Sequence, residues 1–217
     1  MATRVLIVDD HEVVRLGLCR TLDLQEGLEV VGQACNGLEA LEMVDQLVPD
    51  VVVIDIAMPM LNGIDATRRI KKEHPETKII ALSMNSTRQF VLDMLEAGAD
   101  GYLLKTDAIE VVVSAIRAAM QGEVYLTPKI AAVVTQECLS RGVGSVDQED
   151  RNNELTARER QVLQLLAEGH SSKEIGKILG MEQNTVMVHR RHVMTKLGLH
   201  SVAELTKYAI QQGITSL

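Results

Sequence analysis

Short apolar runs alternate with longer segments of helical spacing through the first half of the chain. The runs are RVLIVD (4–9), EVVGQA (29–34), VVVIDI (51–56), KIIALS (78–83) and GYLLK (101–105). Between them, residues 12–24, 38–47, 64–73, 87–97 and 108–121 carry apolar side chains three and four positions apart, the period of an amphipathic helix. Strands that are greasy on both faces and separated by helices predict a parallel sheet covered on both sides. In such a sheet, ligands bind beyond the carboxyl ends of the strands, where the strand order reverses.

The pattern changes after residue 123. TPKIAAVVTQECLS (127–140) predicts one more helix, with Pro128 near its start. RGVGSVDQEDRNNE (141–154) holds two glycines, acids and amides and little that is apolar, the composition of a linker or mobile loop. From there to the end no strand signal remains. TARE (156–159), SSKE (171–174) and SVAE (201–204) are capping boxes, and glycines at 169, 180, 198 and 213 stand where helices should stop. The chain therefore divides into an α/β domain over 1–123, a linker over 124–153 with a helix near 128–140, and a helical domain over 154–217.

Composition narrows the class. The hydrophobic share of 46% and charged share of 24% suit a globular protein of 217 residues. No apolar run approaches the roughly 20 residues of a membrane span, and the amino terminus lacks a signal-peptide pattern, so no membrane association and a cytoplasmic location are expected. Cys19, Cys35 and Cys138 form an odd, scattered set, best read as reduced, packed thiols. Aromatics are only 2%, which disfavours a small-molecule sensor domain. Residues 154–217 hold eight Lys or Arg against six Asp or Glu, a balance of +2; since the whole chain is at −8, the first 153 residues hold −10. An acidic front and a mildly basic back suit two modules with different partners.

The acidic front contains one puzzle. VVVIDIAMPM (51–60) ends an apolar run on a carboxylate, and an ionised carboxylate in such surroundings is costly unless something pairs with it. Asp9 and Asp10 end the first predicted strand, Asp55 the third, Ser83 the fourth and Lys105 the fifth. A single aspartate there is usually a turn cap. Three carboxylates, a hydroxyl and an ammonium converging on one sheet edge form a site. The carboxylates repel one another, and a hard divalent cation with room for water, Mg²⁺, relieves that. Lys105, Ser83 and the cation can then each take one oxygen of an incoming phosphoryl group while an aspartate attacks it.

VLIVDDH, IDIAMPMLNGID, ALS and GYLLK together resemble the receiver domain of two-component response regulators. With the helical half, the resemblance is to the NarL/FixJ (LuxR-type) family across nearly the whole chain. It implies a flavodoxin-like (βα)5 receiver, strand order 2-1-3-4-5, followed by an all-α helix-turn-helix DNA-binding domain. It implies Asp55 as phosphoacceptor, and Asp9, Asp10, Asp55 and the Ala57 carbonyl as ligands of Mg²⁺. Lys105 would read the phosphate, and Ser83 and Tyr102 would form a switch in which Tyr102 turns inward as Ser83 moves. Many receivers carry proline after the lysine, where this chain has Thr106.

In the helical half, helices over 157–168 and 172–179 and a third ending near Leu197 read as a helix-turn-helix through LGMEQN (179–184). On the third helix Asn184, Met187, Val188, Arg191 and Thr195 share one face, while Val186, Val193 and Leu197 share the other. Asn184, Thr185, Met187, Val188, Arg191 and Thr195 are the candidates for base-side contact in a major groove, with Arg191 suited to guanine and Met187 to a thymine methyl. Lys173, Lys177, Arg190 and Lys196 are the candidates for phosphates. LTARE, VLQLLAEG, SSKEI and KLG resemble the LuxR-type DNA-binding pattern. That pattern usually has a small capping residue where Glu182 stands, which places the start of this helix at Asn184. His189 reads as a packing residue.

The expectation is a response regulator, not an enzyme. It takes a phosphoryl group on Asp55 from a sensor histidine kinase and thereby controls homodimerisation and binding to double-stranded DNA. Helix 201–213 offers Val202, Leu205 and Ala209 for packing or, by the resemblance, for dimerisation. A phosphatase working through an aspartyl phosphate resembles a DxDx[TV] pattern, but Ala57 stands where the second aspartate would be. A quorum-sensing regulator lacks the strand-end cluster, and a phosphate-independent receiver has no need of Asp9, Asp10, Asp55 and Lys105 together.

Overall fold

The structure is a computed structural model and describes residues 2–107, 109–141 and 155–215. The chain divides into two compact units, Met1–Gly142 and Val143–Leu217. Most of the stretch read as a linker, 142–154, lies outside the described residues.

In the first unit, strands β1 (Thr3–Val8), β2 (Leu28–Ala34), β3 (Val51–Asp55), β4 (Lys78–Ser83) and β5 (Gly101–Leu104) alternate with helices α1 (Glu12–Asp23), α2 (Gly37–Leu47), α3 (Gly63–Glu73), α4 (Arg88–Glu96) and α5 (Ile109–Met120). The strands pair in parallel in the order β2-β1-β3-β4-β5, and a short sixth strand, β6 (Tyr125–Leu126), extends the sheet beyond β5. Strand alternation divides the core in two. Leu6, Val8, Val52, Ile54, Ile79, Ala81, Tyr102 and Leu104 face one layer with residues of α2, α3 and α4. Val5, Ile7, Val51, Val53, Ile80, Leu82 and Leu103 face the other with α1 and α5. Every residue of β3 is buried, as a central parallel strand covered on both faces requires.

The five-strand reading stops short at β6, and the segment after it is more than a connector. Helix α6 (Pro128–Arg141) packs on α4 and β6. Ile130 is fully buried in the Tyr102 layer, with Val133 and Val134 against it, and Arg88 of α4 pairs with the buried Glu137 of α6. Residues 125–137 are thus part of the first unit's packing.

The second unit is helical: α7 (Ala157–Ala167), α8 (Ser172–Leu179), α9 (Gln183–Leu197) and α10 (Val202–Gln211). All three capping boxes form, with Thr156, Ser171 and Ser201 each exchanging bonds with the glutamate three residues on. Gly180 and Gly198 end α8 and α9 in the left-handed region, at φ of 62° and 63°, where a side chain would be strained. Helix α9 begins at Gln183, one residue before the expected Asn184. Glu182 is its N-cap and makes no side-chain cap bond; its backbone carbonyl still accepts the N–H of Val186 at 3.2 Å. Val162, Leu163, Leu165, Leu166, Ile175, Val186, Val193, Leu205 and Ala209 are buried and hold the four helices together.

Candidate functional site: an acidic pocket and a recognition helix

The strand order reverses between β1 and β3: the chain goes from β1 to β2 on one side and returns to β3 on the other. Asp9 follows β1 and Asp55 ends β3, so both stand at the crevice that this reversal opens. Asp9 is fully buried and Asp55 is 3% exposed. Lys105 reaches in from the end of β5, with Nζ 2.7 Å from Asp9 Oδ2 and 2.7 Å from Asp55 Oδ2.

Local geometry explains how the chain tolerates this crowding. The loop after β3 is tied down by the Gly63 N–H, which donates to the Ile56 carbonyl at 2.9 Å. A Cβ on Gly63 would lie 2.1 Å from the Asp55 carbonyl oxygen, so only glycine lets α3 start against the acidic strand end. Asn62 caps α3 by accepting from the Asp65 N–H, and Met60 takes a left-handed φ of 68° within the loop. Asp9 Oδ1 accepts the backbone N–H of His11 at 2.9 Å, and the Arg15 guanidinium donates to the Asp9 carbonyl at 2.7 Å. After Lys105, where a proline is absent, Asp107 fixes the turn: its carboxylate accepts the Leu104 N–H at 2.8 Å and its own N–H donates to the Leu104 carbonyl. The Lys105 N–H donates to the Ser83 carbonyl at 2.8 Å.

Electrostatics follow from burial. Loss of water pushes the Asp55 carboxyl up to about 6, with Asp9 adding to the rise, although Lys105 and the Ala57 N–H pull the other way. Burial pushes Lys105 down, but its hydrogen bonds and attraction to Asp55 and Asp9 outweigh this, and the net direction is up. Among the described residues, Asp9, Asp10, His11 and Asp55 place one potential ligand atom each within 4.8 Å of one another. Asp9 Oδ2 and Asp10 Oδ1 are buried without a hydrogen bond of acceptable geometry, although the former is ion-paired to Lys105 and the latter lies 2.7 Å from His11 Nδ1, an ion pair when that ring is protonated. Three carboxylates facing one ammonium leave two negative charges, which fit a divalent cation.

Ser83 is buried, and its Oγ accepts the Asn85 N–H at 3.0 Å. Tyr102 already lies inward. Its ring is fully buried, and its hydroxyl donates to the Asn85 carbonyl at 2.7 Å, across the loop that leads into α4. Burial pushes its phenol up to about 12.

In the second unit Asn184, Thr185, Met187, Val188, Arg191 and Thr195 are exposed on α9, with Met187 at 50% and Val188 at 47%. Lys173 and Lys177 are exposed on α8, and Arg190 is half-buried. Lys196 is different: its Nζ lies 2.7 Å from Glu159 Oε2, so it ties α9 to α7. His189 is half-buried. Arg158 was not singled out by sequence. It donates to the Leu179 carbonyl at 2.6 Å, to Gln161 Oε1 at 3.0 Å and to Met181 Sδ at 3.0 Å. It thus fastens the turn between α8 and α9 to α7. Gly176 permits that turn to close, since a Cβ there would lie 2.7 Å from the Met181 carbonyl oxygen.

Comparison with known proteins decides what these two units are. Residues 5–117 match the response regulator receiver domain, and residues 153–209 match the luxR family of bacterial regulatory proteins. The chain is a LuxR-family response regulator. It is 36% identical over 214 residues to the oxygen regulatory protein NreC of Staphylococcus epidermidis, covering 96% of this chain and 97% of that one. NreC of Staphylococcus aureus is 37% identical over 211 residues, with the same coverage. Among solved structures, the RcsB response regulator of Salmonella typhimurium superposes with a TM-score of 0.64 at 26% identity over 99% of each chain. A LuxR-family response regulator from Aurantimonas superposes with a TM-score of 0.61 at 34% identity, over 64% of this chain and 99% of that one. A family of transcriptional regulators also answers the phosphatase alternative: this response regulator is not an enzyme.

Proposed function

We propose that Asp55 is the phosphoacceptor and that its phosphorylation by a sensor histidine kinase controls dimerisation and DNA binding by α9. The observation that carries this is the buried Asp55 carboxylate at the β1/β3 crevice, with Lys105 2.7 Å away and bridged to Asp9. A carboxylate oxygen of Asp55 attacks the phosphorus of a phosphohistidine. The P–N bond breaks, the imidazole leaves with a proton from solvent, and an acyl phosphate remains on Asp55. Lys105 moves from the carboxylate to a phosphoryl oxygen, and Ser83 offers its hydroxyl to another. Asp9, Asp10, Asp55 and the Ala57 carbonyl would hold Mg²⁺, which when bound offsets the charge that gathers on the phosphoryl oxygens.

Tyr102 connects this site to α4. Its hydroxyl donates to the carbonyl of Asn85, two residues after Ser83 in the loop that leads into α4. A hydroxyl drawn toward a phosphoryl group at Ser83 releases the Asn85 N–H and shifts that loop. The inward ring supports a switch in which Tyr102 holds the active arrangement.

On DNA, the exposed α9 face enters the major groove. Arg191 reads guanine, Met187 and Val188 meet thymine methyls, and Asn184, Thr185 and Thr195 complete the base-side surface. Lys173, Lys177 and Arg190 meet phosphates, while Lys196 acts through its pairing with Glu159 to set the pitch of α9. RcsB has been solved bound to DNA, and as two dimers on two parallel DNAs, which supports double-stranded DNA and a homodimer as the partners here. A DNA partner favours the cytoplasm; among the described residues, no helix is long and apolar enough to cross a membrane.

The test is intact mass after incubation with a small phosphodonor and Mg²⁺, for the wild type and Asp55→Ala. One added phosphoryl group on the wild type alone is expected. No adduct on folded wild-type protein would overturn the assignment.

A further inference from the structure

We propose that His11 Nδ1 is a direct ligand of the divalent cation, making the acidic pocket a mixed nitrogen–oxygen site that ranks a first-row transition ion, Mn²⁺, above Mg²⁺. This rests on the reading that Asp9, Asp10 and Asp55 hold a cation.

The geometry starts from Asp10. His11 Nδ1 lies 2.7 Å from Asp10 Oδ1 and 3.4 Å from Asp9 Oδ1. The approach to Asp10 is an ion pair when the imidazole carries its second proton, but it lacks hydrogen-bond geometry at the buried Asp10 Oδ1. In the neutral imidazole with Nδ1 bare, two lone-pair donors face the same small space. Donors held about 2.1 Å from one octahedral ion stand roughly 3 Å apart, and the observed separation is within reach of that. All four candidate ligand atoms, one each from Asp9, Asp10, His11 and Asp55, fall within 4.8 Å of one another.

The backbone keeps the imidazole there. His11 is the N-cap residue of α1, and its N–H is held by Asp9 Oδ1 at 2.9 Å. Its side chain is 67% exposed, and the ring is placed against the acidic pair rather than by core packing. The exposed side also leaves a route for the ion and its waters.

A nitrogen ligand changes selectivity more than occupancy. Mg²⁺ gains little from imidazole, whereas affinity rises along the first-row transition series at nitrogen-bearing sites. Mg²⁺ still enters when it is abundant, but it gives way to Mn²⁺ at much lower concentration. Lys105 Nζ is an ammonium between two carboxylates and the Arg15 guanidinium donates to the Asp9 carbonyl; neither has a lone pair to offer.

The experiment is pulsed electron paramagnetic resonance on the full chain with one equivalent of Mn²⁺, for wild type, His11→Ala and Asp10→Asn, together with Mn²⁺ and Mg²⁺ affinities for the first two. The expected result is a directly coordinated ¹⁴N coupling in wild type that His11→Ala abolishes. The preference for Mn²⁺ over Mg²⁺ should fall by about tenfold with it, the scale on which changes around a metal's ligands act. Asp10→Asn should weaken Mn²⁺ binding itself, tying the signal to this pocket. Bound Mn²⁺ that depends on Asp10 but shows no nitrogen coupling would overturn the role of His11 and leave the cation site standing. Mn²⁺ binding that ignores Asp10 would overturn both.

Discussion

Asp55 is held where an ionised carboxylate is least comfortable. It is 3% exposed, faces Asp9, and has its carboxyl pushed up to about 6 by burial. A raised acid favours folding in its neutral form. Its cost is absent below the unfolded value near 4, grows between about 4 and 6, and is complete above 6. A rise of that size corresponds to about 2–3 kcal/mol. Asp55→Asn should therefore stabilise the metal-free first unit by about that much at pH 7.5, with the gain shrinking toward zero as the pH falls to 4. Urea midpoints in the presence of a chelator, followed across that pH range, measure it. An equal midpoint for both proteins at pH 7.5 would mean that Lys105 fully compensates the charge. With Asp55 in its proposed role, the same raised carboxyl should make phosphorylation pH-dependent, because only the carboxylate attacks. At low Mg²⁺ the rate of adduct formation should fall as the pH drops through about 6. Saturating Mg²⁺, which favours the ionised form, should move that fall to lower pH. A pH profile unchanged by Mg²⁺ would separate the cation from Asp55.

Element by element, the parts the sequence made legible are those whose signal is local. The five long strands show as β-branched runs, and the three capping boxes show as spaced residues whose bonds all form. Asp9, Asp10, Asp55 and Lys105 could be brought together because strand ends in a parallel sheet share one edge. What escaped depends on partners far away in the chain. β6 is two residues long and has no alternation to read. Helix α6 was visible as a helix, yet its burial on α4 is set by Ile130 and Glu137 meeting residues some 35 to 50 positions earlier. Tyr102 points inward because β5 alternates: Tyr102 and Leu104 face one layer and Leu103 the other. Asp107 could have been found as a turn-forming aspartate two residues after Lys105, and His11 as the residue directly after the acidic pair. Two predictions belong at this scale. Ile130→Ala should destabilise the first unit by about 2–4 kcal/mol, the cost of emptying a buried aliphatic site; a shift near zero in its unfolding transition would mean that α6 is not part of that core. Arg158→Ala should cost the second unit about 1–3 kcal/mol, since it leaves the Leu179 carbonyl without its charged donor. DNA affinity should fall with it even though Arg158 lies outside the proposed DNA surface. Unchanged affinity would show that the α8–α9 turn holds its form without Arg158.

At the scale of the whole molecule, the distribution of charge has to be reconciled with DNA binding. The chain is at −8 and residues 154–217 only at +2, so long-range attraction to a polyanion is weak and the phosphate contacts must be few and well placed. Lys173, Lys177 and Arg190 supply three such contacts per protomer in the proposed interface. A dimer on two half-sites then makes six, and log K against log salt should slope at roughly −5. The slope also tells phosphate contacts from structural cations. Lys173→Ala removes two contacts from the dimer and should make the slope shallower by about 2. Lys196→Ala should leave the slope as it is, because its charge is already paired with the buried Glu159; its effect should instead be a lower stability of the second unit and a salt-independent loss of affinity. Binding isotherms for the phosphorylated protein at several salt concentrations, wild type against each variant, measure both effects. A Lys196→Ala slope shallower by the same amount as Lys173→Ala would mean that Lys196 leaves Glu159 for a phosphate when DNA arrives, and that α9 is free to turn against α7 as it binds.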